Sequence, residues 1–286
     1  MIKSTLTVCF AFSLASLSAQ QIILRSEAAP LGTSLPKSGS EITNTDEKGV
    51  KPFETKQFKS LGSGVIETDH EVVLVGKMAP PDVNIYEIPL FGGYQKTLQQ
   101  MEDDEAFVAD CDKNFKTREE ASLFFSDMGW QYLSEGSKEM ATYRFNLASL
   151  LDHKNVDVYW GLGVIEYQKG EYEEAIKLLS QGLYADAQFN VTLMVDLATV
   201  HIKCFAENQH SSDLERAYKL LDDAKLLAPN FANTYMQLAL ANLVNGKIDE
   251  AWLAFHKGYK IDPKAIDTQI LAQLLSQKAD PEGVFE

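Results

Sequence analysis

The chain has 286 residues, 45% of them apolar, which is enough for one or two buried cores. Its 26 Lys and Arg stand against 41 Asp and Glu, a net charge of −15 that argues against a nucleic-acid binder, which needs a basic face. Three Cys exclude a disulfide-built scaffold and a multi-cysteine zinc fold.

Met1-Ile2-Lys3, an apolar run from Leu6 to Leu17 and Ser18-Ala19 form the pattern of a secretory signal over residues 1–19, with cleavage expected after Ala19. Cys9 leaves with it. The run is shorter than the ~20 apolar residues of a spanning helix, and no second stretch reaches that length. The mature chain is therefore expected to be exported, periplasmic or extracellular, without a stable membrane span.

Residues 20–60 show no apolar periodicity and are rich in Ser, Thr, Lys, Glu, Gly and Pro. Such a segment buries too little to offset its ordering entropy and reads as a flexible linker. Residues 61–96 form a short extended segment, with Val72-Val73-Leu74-Val75 and Ile85-Tyr86-Glu87-Ile88 as its strand-like pieces among Gly and Pro. Residues 97–121 are helical in pattern, and Leu98, Met101, Ala106 and Phe107 are expected to pack under the helices that begin at Ser122.

From Ser122 the chain repeats at a period of about 34 residues. The first copy carries Met128, Gly129, Tyr132, Gly136, Ala141, Phe145 and Ala148. The second carries Tyr159, Leu162, Gly163, Gly170, Ala175, Leu179 and Gly182, and the fourth Tyr235, Leu238, Ala239, Gly246, Ala251, Phe255, Gly258 and Pro263. The third keeps Leu197, Ala198, Ala217, Leu221, Ala224 and Pro229 but holds about seven extra residues, expected as a longer loop in Ala206 to Asp213. Small residues let two helices approach, large ones fill the space between units, Gly ends the first helix and Pro stops the second. Beyond Pro263, residues 264–278 place Ile266, Ile270, Leu271, Leu274 and Leu275 at helical spacing, the signature of a capping helix.

This pattern resembles the tetratricopeptide repeat. The resemblance implies an all-α fold, an α-solenoid of helix hairpins with four repeats over residues 122–263, behind a disordered and partly extended preamble. The stretch from Pro89-Leu90-Phe91-Gly92-Gly93 to Gly129-Trp130 also resembles a group of exported bacterial repeat proteins, a likeness that brings no activity with it. In tetratricopeptide arrays the inner wall is lined mainly by first-helix residues. Carried over, that wall is Leu123, Ser126, Trp130 and Leu133, then Asp157, Trp160, Val164 and Tyr167. It continues through Thr192, Val195, Thr199 and Ile202 to Asn233, Met236, Leu240 and Leu243. The Lys, Arg and Asn with which chaperone-binding members of the family grip a C-terminal carboxylate are missing from it. A protein or peptide partner with an apolar or aromatic segment is the expectation. The alternatives are that Trp130 and Trp160 pack on neighbouring helices or the preamble, and that Ile85 to Phe91 fills the groove itself.

The sequence offers little chemistry. His201 and Cys204 lie three apart on one helix, but structural zinc takes four ligands and catalytic zinc three, and no second pair is suitably spaced. Cys111 and Cys204 read as two free thiols, a bridge being the alternative that export permits. Glu102-Asp103-Asp104-Glu105 lacks the Gly-containing loop of a calcium site and reads as a solvated helix face. Asn190-Val191-Thr192 matches a glycosylation acceptor that chance also produces. Phosphate loop, nucleophile elbow and H-E-x-x-H are all missing. The expectation is a non-enzymatic interaction scaffold of the bacterial envelope, with neither cofactor nor metal. Its alternatives are an accessory subunit of an envelope secretion or assembly complex and a hydrolase using Asp69, His70 and Glu71 within residues 61–96.

Overall fold

The computed structural model describes residues 77–186 and 189–285. The signal pattern, the linker, Val72-Val73-Leu74-Val75 and Asp69-His70-Glu71 lie outside the described residues. Within them the regular structure is helical: α1 (Leu98–Asn114), α2 (Arg118–Ser134), α3 (Lys138–Leu151), α4 (Val156–Lys169), α5 (Tyr172–Ala185), α6 (Val191–Asn208), α7 (Ser211–Leu227), α8 (Ala232–Val244), α9 (Ile248–Ile261) and α10 (Thr268–Gln277). Helices α2 and α3, α4 and α5, α6 and α7, and α8 and α9 pack as four hairpins. Each second helix rests on the first helix of the next hairpin, and α10 closes the stack against α8 and α9. This is the solenoid of serial hairpins that the repeat pattern implies.

The repeat residues sit where close packing requires them. Phe145 is fully buried, and its ring lies so near α2 and α4 that a Cβ at Gly129 would stand 2.9 Å from it and one at Gly161 2.0 Å. Three hairpins turn through a glycine at positive φ, Gly136 (82°), Gly170 (84°) and Gly246 (73°), a conformation other residues adopt at a cost.

The third hairpin departs from the loop expected of it. Helix α6 has 18 residues and α7 has 17, where α4 and α5 have 14 each, so the extra residues lengthen both helices rather than the turn. Four and three residues are each close to one helical turn, which keeps the apolar stripe of each helix in phase. The turn is tight: Gln209 takes the left-handed conformation (φ 57°), and its Nε2 donates to the carbonyls of Phe205 and Ala206. His201 and Asp213, one on each lengthened helix, meet across it at 2.8 Å.

The preamble also differs from its extended reading. Ile85–Glu87 is a 3-10 turn started by the Asn84 side chain accepting from Tyr86 N–H, and Pro89 heads a tight left-handed turn with Leu90, Phe91 and Gly92 at positive φ (48°, 61° and 63°). They sit on α3, where the fully buried Asn146 uses all of its side chain on them. Its Nδ2 donates to the carbonyls of Tyr86 (2.8 Å) and Ile88 (2.7 Å), and its Oδ1 accepts from Leu90 N–H (2.9 Å). Asp104 is accordingly not part of a solvated face, since it accepts from the Tyr86 hydroxyl at 2.6 Å and pairs with Lys96. Lys96 in turn lies over the Phe91 ring, 3.5 Å from its centroid. Helix α1 packs through Phe107, Val108 and Cys111, with Phe115 just past its end, whereas Leu98, Met101 and Ala106 are exposed.

Candidate functional site

The first helices bring part of the expected wall together and withdraw the rest. Ser126 is fully buried and receives Asn155 Nδ2 at 3.2 Å, within a network in which Asn155 also reaches Ser122. Thr199 is buried and donates back to the carbonyl of Val195. Leu133, Trp160 and Val164 belong to the core shared by the first two hairpins, and Met236 to the core beneath α10. Val195, Ile202 and Leu243 are buried as well. Leu123 is exposed, while Trp130, Asp157, Tyr167, Thr192, Asn233 and Leu240 are half-buried. Ile85 to Phe91 lies against α3, and Leu90 reaches the core on which Trp130 packs.

Two tryptophans link three consecutive first helices. Trp130 on α2 donates its Nε1–H to Asp157 on α4 at 3.1 Å, and Trp160 on α4 donates to Asp196 on α6 at 2.7 Å. Their rings meet edge to face, centroids 5.7 Å apart, and Trp130 meets Phe145 the same way at 5.4 Å. Aromatic residues that must bury a polar N–H find an acceptor for it, and here each acceptor belongs to the next repeat.

Asp196 is the unusual member. Only 2% of it is exposed, and burial pushes its carboxyl up to about 8, a rise that the Trp160 N–H only partly offsets. The repeat signature did not mark it, because the polar residue it places between apolar neighbours, Val195 and Leu197, looks like a solvent-facing one.

Gln237 holds the matching place on α8. Asp196 stands one residue before Leu197, and Gln237 stands one before Leu238, in the repeat position that follows it. The Trp160 place, two residues before Leu162, is taken in α6 by Val195, which has no side-chain donor. Gln237 is 6% exposed, and its Oε1 has no partner. One turn earlier, the fully buried Thr234 hydroxyl also has none.

The other chemical candidates resolve into structure. His201 is held by Asp213, and among the described residues no cluster of His, Cys, Asp and Glu is arranged to hold a metal. Cys111 and Cys204 are free, buried thiols, and burial pushes Cys204 up to about 11, far from a reactive thiolate. Asn190 caps α6, its side chain accepting from Leu193 N–H at 3.1 Å. The C-terminal tail forms a closed site that no sequence motif marks. The Asp280 carboxylate accepts from His256 Nε2 (2.7 Å) and from the backbone N–H groups of Glu282, Val284 and Phe285. Phe285 covers the pair, stacking on His256 and meeting Phe255 and Tyr259 at their edges. The pair ties the tail to α9.

Among the described residues no helix is long and apolar enough to cross a membrane. No protein-family model matches the chain, and no curated protein matches it. Solved structures similar to it include TTC0263, a thermophilic TPR protein of Thermus thermophilus, at 18% identity over 55% of this chain and 84% of that one, with a TM-score of 0.49. PilF of Pseudomonas aeruginosa is 22% identical over 56% of this chain and 70% of that one, with a TM-score of 0.47. YrrB, described as a TPR protein with an unusual peptide-binding site, is 22% identical over 63% of this chain and 95% of that one, with a TM-score of 0.43.

Proposed function

We propose that the protein is a non-enzymatic interaction scaffold that holds a segment of a protein partner along its first helices, and that it works outside the cytoplasm. The observation that carries the reading is the continuity of one face. Side-chain bonds from Trp130 to Asp157 and from the buried Trp160 to the buried Asp196 tie three first helices together, so a partner lying across the half-buried Trp130, Asp157 and Tyr167 meets one rigid surface rather than three separate units. Aromatic residues held in fixed rotamers lose little entropy on binding, which is why interface energy concentrates on them. The export half of the proposal rests on residues 1–19.

Mild crosslinking in the native organism, followed by mapping of the linked residues, tests the reading. Links from a partner to α2, α4 and α6 support it; links confined to the second helices or the C-terminal tail defeat it. Fusion of residues 1–19 to a reporter that works only after export checks the compartment, and retention in the cytoplasm would refute it.

A further inference from the structure

Arg144, on α3 of the first hairpin, is a half-buried cation that no carboxylate of the described residues holds. Arg118, by contrast, makes two bonds to Asp112. Aromatic rings take the place of a counterion at Arg144. Phe125 and Tyr132 of α2 and Tyr143 of α3 have their centroids 6.0, 5.7 and 5.7 Å from its Cζ, within reach of a cation–π contact. Two of these rings are themselves fixed, Phe125 by Phe107 of α1 at 5.1 Å and Tyr143 by Tyr86 at 6.0 Å. Asp104, whose field reaches Tyr143, is engaged by Lys96 and the Tyr86 hydroxyl and is not free to turn to Arg144.

The other hairpins show what the fold alone asks for at this place. Arg144 stands one residue before Phe145, and the residues one before Leu179, Leu221 and Phe255 are Leu178, Leu220 and Ala254. All three are apolar and pack on the hairpin cores. At Arg144 the Nε is instead buried without an acceptor, an arrangement that costs stability. With Nε sealed, the part of the guanidinium left open is its far edge, Nη1 and Nη2.

We infer that Arg144 is an anion-binding residue whose Nη1 and Nη2 edge takes the carboxylate of a Glu or Asp side chain from an acidic segment of a protein partner. The planar fork matches a carboxylate with two parallel N–H···O bonds, the strong, charge-assisted class. The three rings hold the fork in place before the ligand arrives, so little side-chain freedom is lost on binding. Partial burial also weakens the screening that water and salt impose on an exposed pair. The charge selects a carboxylate over a phosphate. One guanidinium balances one negative charge, whereas a phosphate monoester carries about two, and the surplus would lie on a chain of net charge −15. This site goes beyond the scaffold reading and uses none of the residues that carry it, so either can fail alone.

The test titrates nitrogen-labelled full-length protein with acetyl-Glu-amide, acetyl-Gln-amide and acetyl-phosphoserine-amide, and follows the Arg144 Nε–H resonance and the backbone amides of α3. The Glu probe is expected to shift them saturably and to bind at least about tenfold more tightly than the Gln probe, with the phosphoserine probe no tighter than Glu. Arg144→Lys, which keeps the charge without the fork, is expected to lose most of that advantage on the α3 amides, and Arg144→Met all of it. Arg216→Met, an exposed change on α7, is expected to leave it intact. Urea unfolding is expected to find Arg144→Met no less stable than wild type, as the apolar counterparts imply. Shifts that do not saturate, or equal affinity for the Glu and Gln probes, overturn the inference. Tighter binding of phosphoserine overturns the carboxylate assignment. A less stable Arg144→Met together with an unresponsive wild type would make the guanidinium a packing group for its rings, and would also overturn it.

Discussion

Replacing Asp196 by Asn separates the cost of a buried carboxylate from the value of its hydrogen bond. Asn keeps an oxygen for Trp160 Nε1 and removes the ionisation. The carboxyl stands at about 8 in the folded protein against 3.8 for an unburied Asp. The native state therefore holds a proton that the unfolded chain has released, and stability falls as pH rises. The Asp196 contribution is fully present below the unfolded value, is lost through the window from pH 4 to pH 8, and is constant above it. At 1.36 kcal/mol per unit, the whole window is worth roughly 6 kcal/mol, an upper bound because water and local relaxation reduce it. Urea unfolding followed by Trp fluorescence from pH 4.5 to pH 8.5 measures the difference directly, since other titrating groups cancel between wild type and variant. Asp196→Asn is expected to lie within about 1 kcal/mol of wild type near pH 4.5 and to gain at least about 2 kcal/mol more on it by pH 8.5. Two curves that stay parallel across this range would refute the reasoning.

Three further outcomes follow from the packing. Gly161→Ala, which helix propensity alone would make stabilising by about 1 kcal/mol, is expected to cost about 2–3 kcal/mol because its Cβ would stand 2.0 Å from Phe145; chemical denaturation gives the sign, and Phe145→Leu in the same chain restores part of the loss. Asn146→Ala strands two carbonyls and one N–H of the preamble and is expected to cost about 3 kcal/mol. Asn146→Asp, nearly the same shape, is expected to be no better, because it turns a carboxylate toward the carbonyls of Tyr86 and Ile88; hydrogen exchange at Leu90 N–H reports both. Asp280 is held at about 2, since the N–H groups of Phe285 and Glu282, the His256 ring and Val284 N–H outweigh the rise from burial. Its contribution is present above the unfolded carboxylate range and is lost as pH falls from about 4 to 2. Asp280→Asn is expected to speed exchange of the Val284 and Phe285 amides at pH 7 at least about tenfold.

The hairpins were legible because their signals are local. A Gly that must take positive φ, a Pro that cannot continue a helix and an Ala facing an aromatic can each be read without knowing the neighbours. The features that lay hidden depended on length or on distant partners. Residues Glu207 to Ser212 read as a loop by composition, yet α6 runs to Asn208 and α7 starts at Ser211, because polar residues at the outer ends of two helices are indistinguishable from a loop until the turn between them is seen. Asp104 read as solvated because Tyr86 and Lys96, which hold it, lie outside its helix. The Asp280 turn left no mark in the sequence because the aromatic residues that enclose it, Trp252 to Tyr259, are on α9. Half of the expected wall went into the core for a related reason: a repeat pattern assigns positions to a face, and the size of the neighbouring side chains decides how deep that face lies.

The position before the repeat's Met or Leu in each first helix differs in chemistry from hairpin to hairpin. It is occupied by Asp127, Gly161, Asp196 and Gln237 in the four hairpins. Packing explains one of them, since Phe145 fills the space a side chain at Gly161 would need. It does not explain Asp196 and Gln237, which are 2% and 6% exposed, one a carboxylate that burial resists ionising and the other an acceptor without a donor. Asp196 has a use in the fold, since it accepts the Trp160 indole N–H that links α4 to α6, whereas an apolar residue of similar volume at Gln237 would remove an unmet polar group. The third hairpin therefore keeps a carboxyl that burial disfavours because its neighbour's indole needs an acceptor, and the fourth, where Val195 supplies no such donor, keeps at the same place an amide whose oxygen has none.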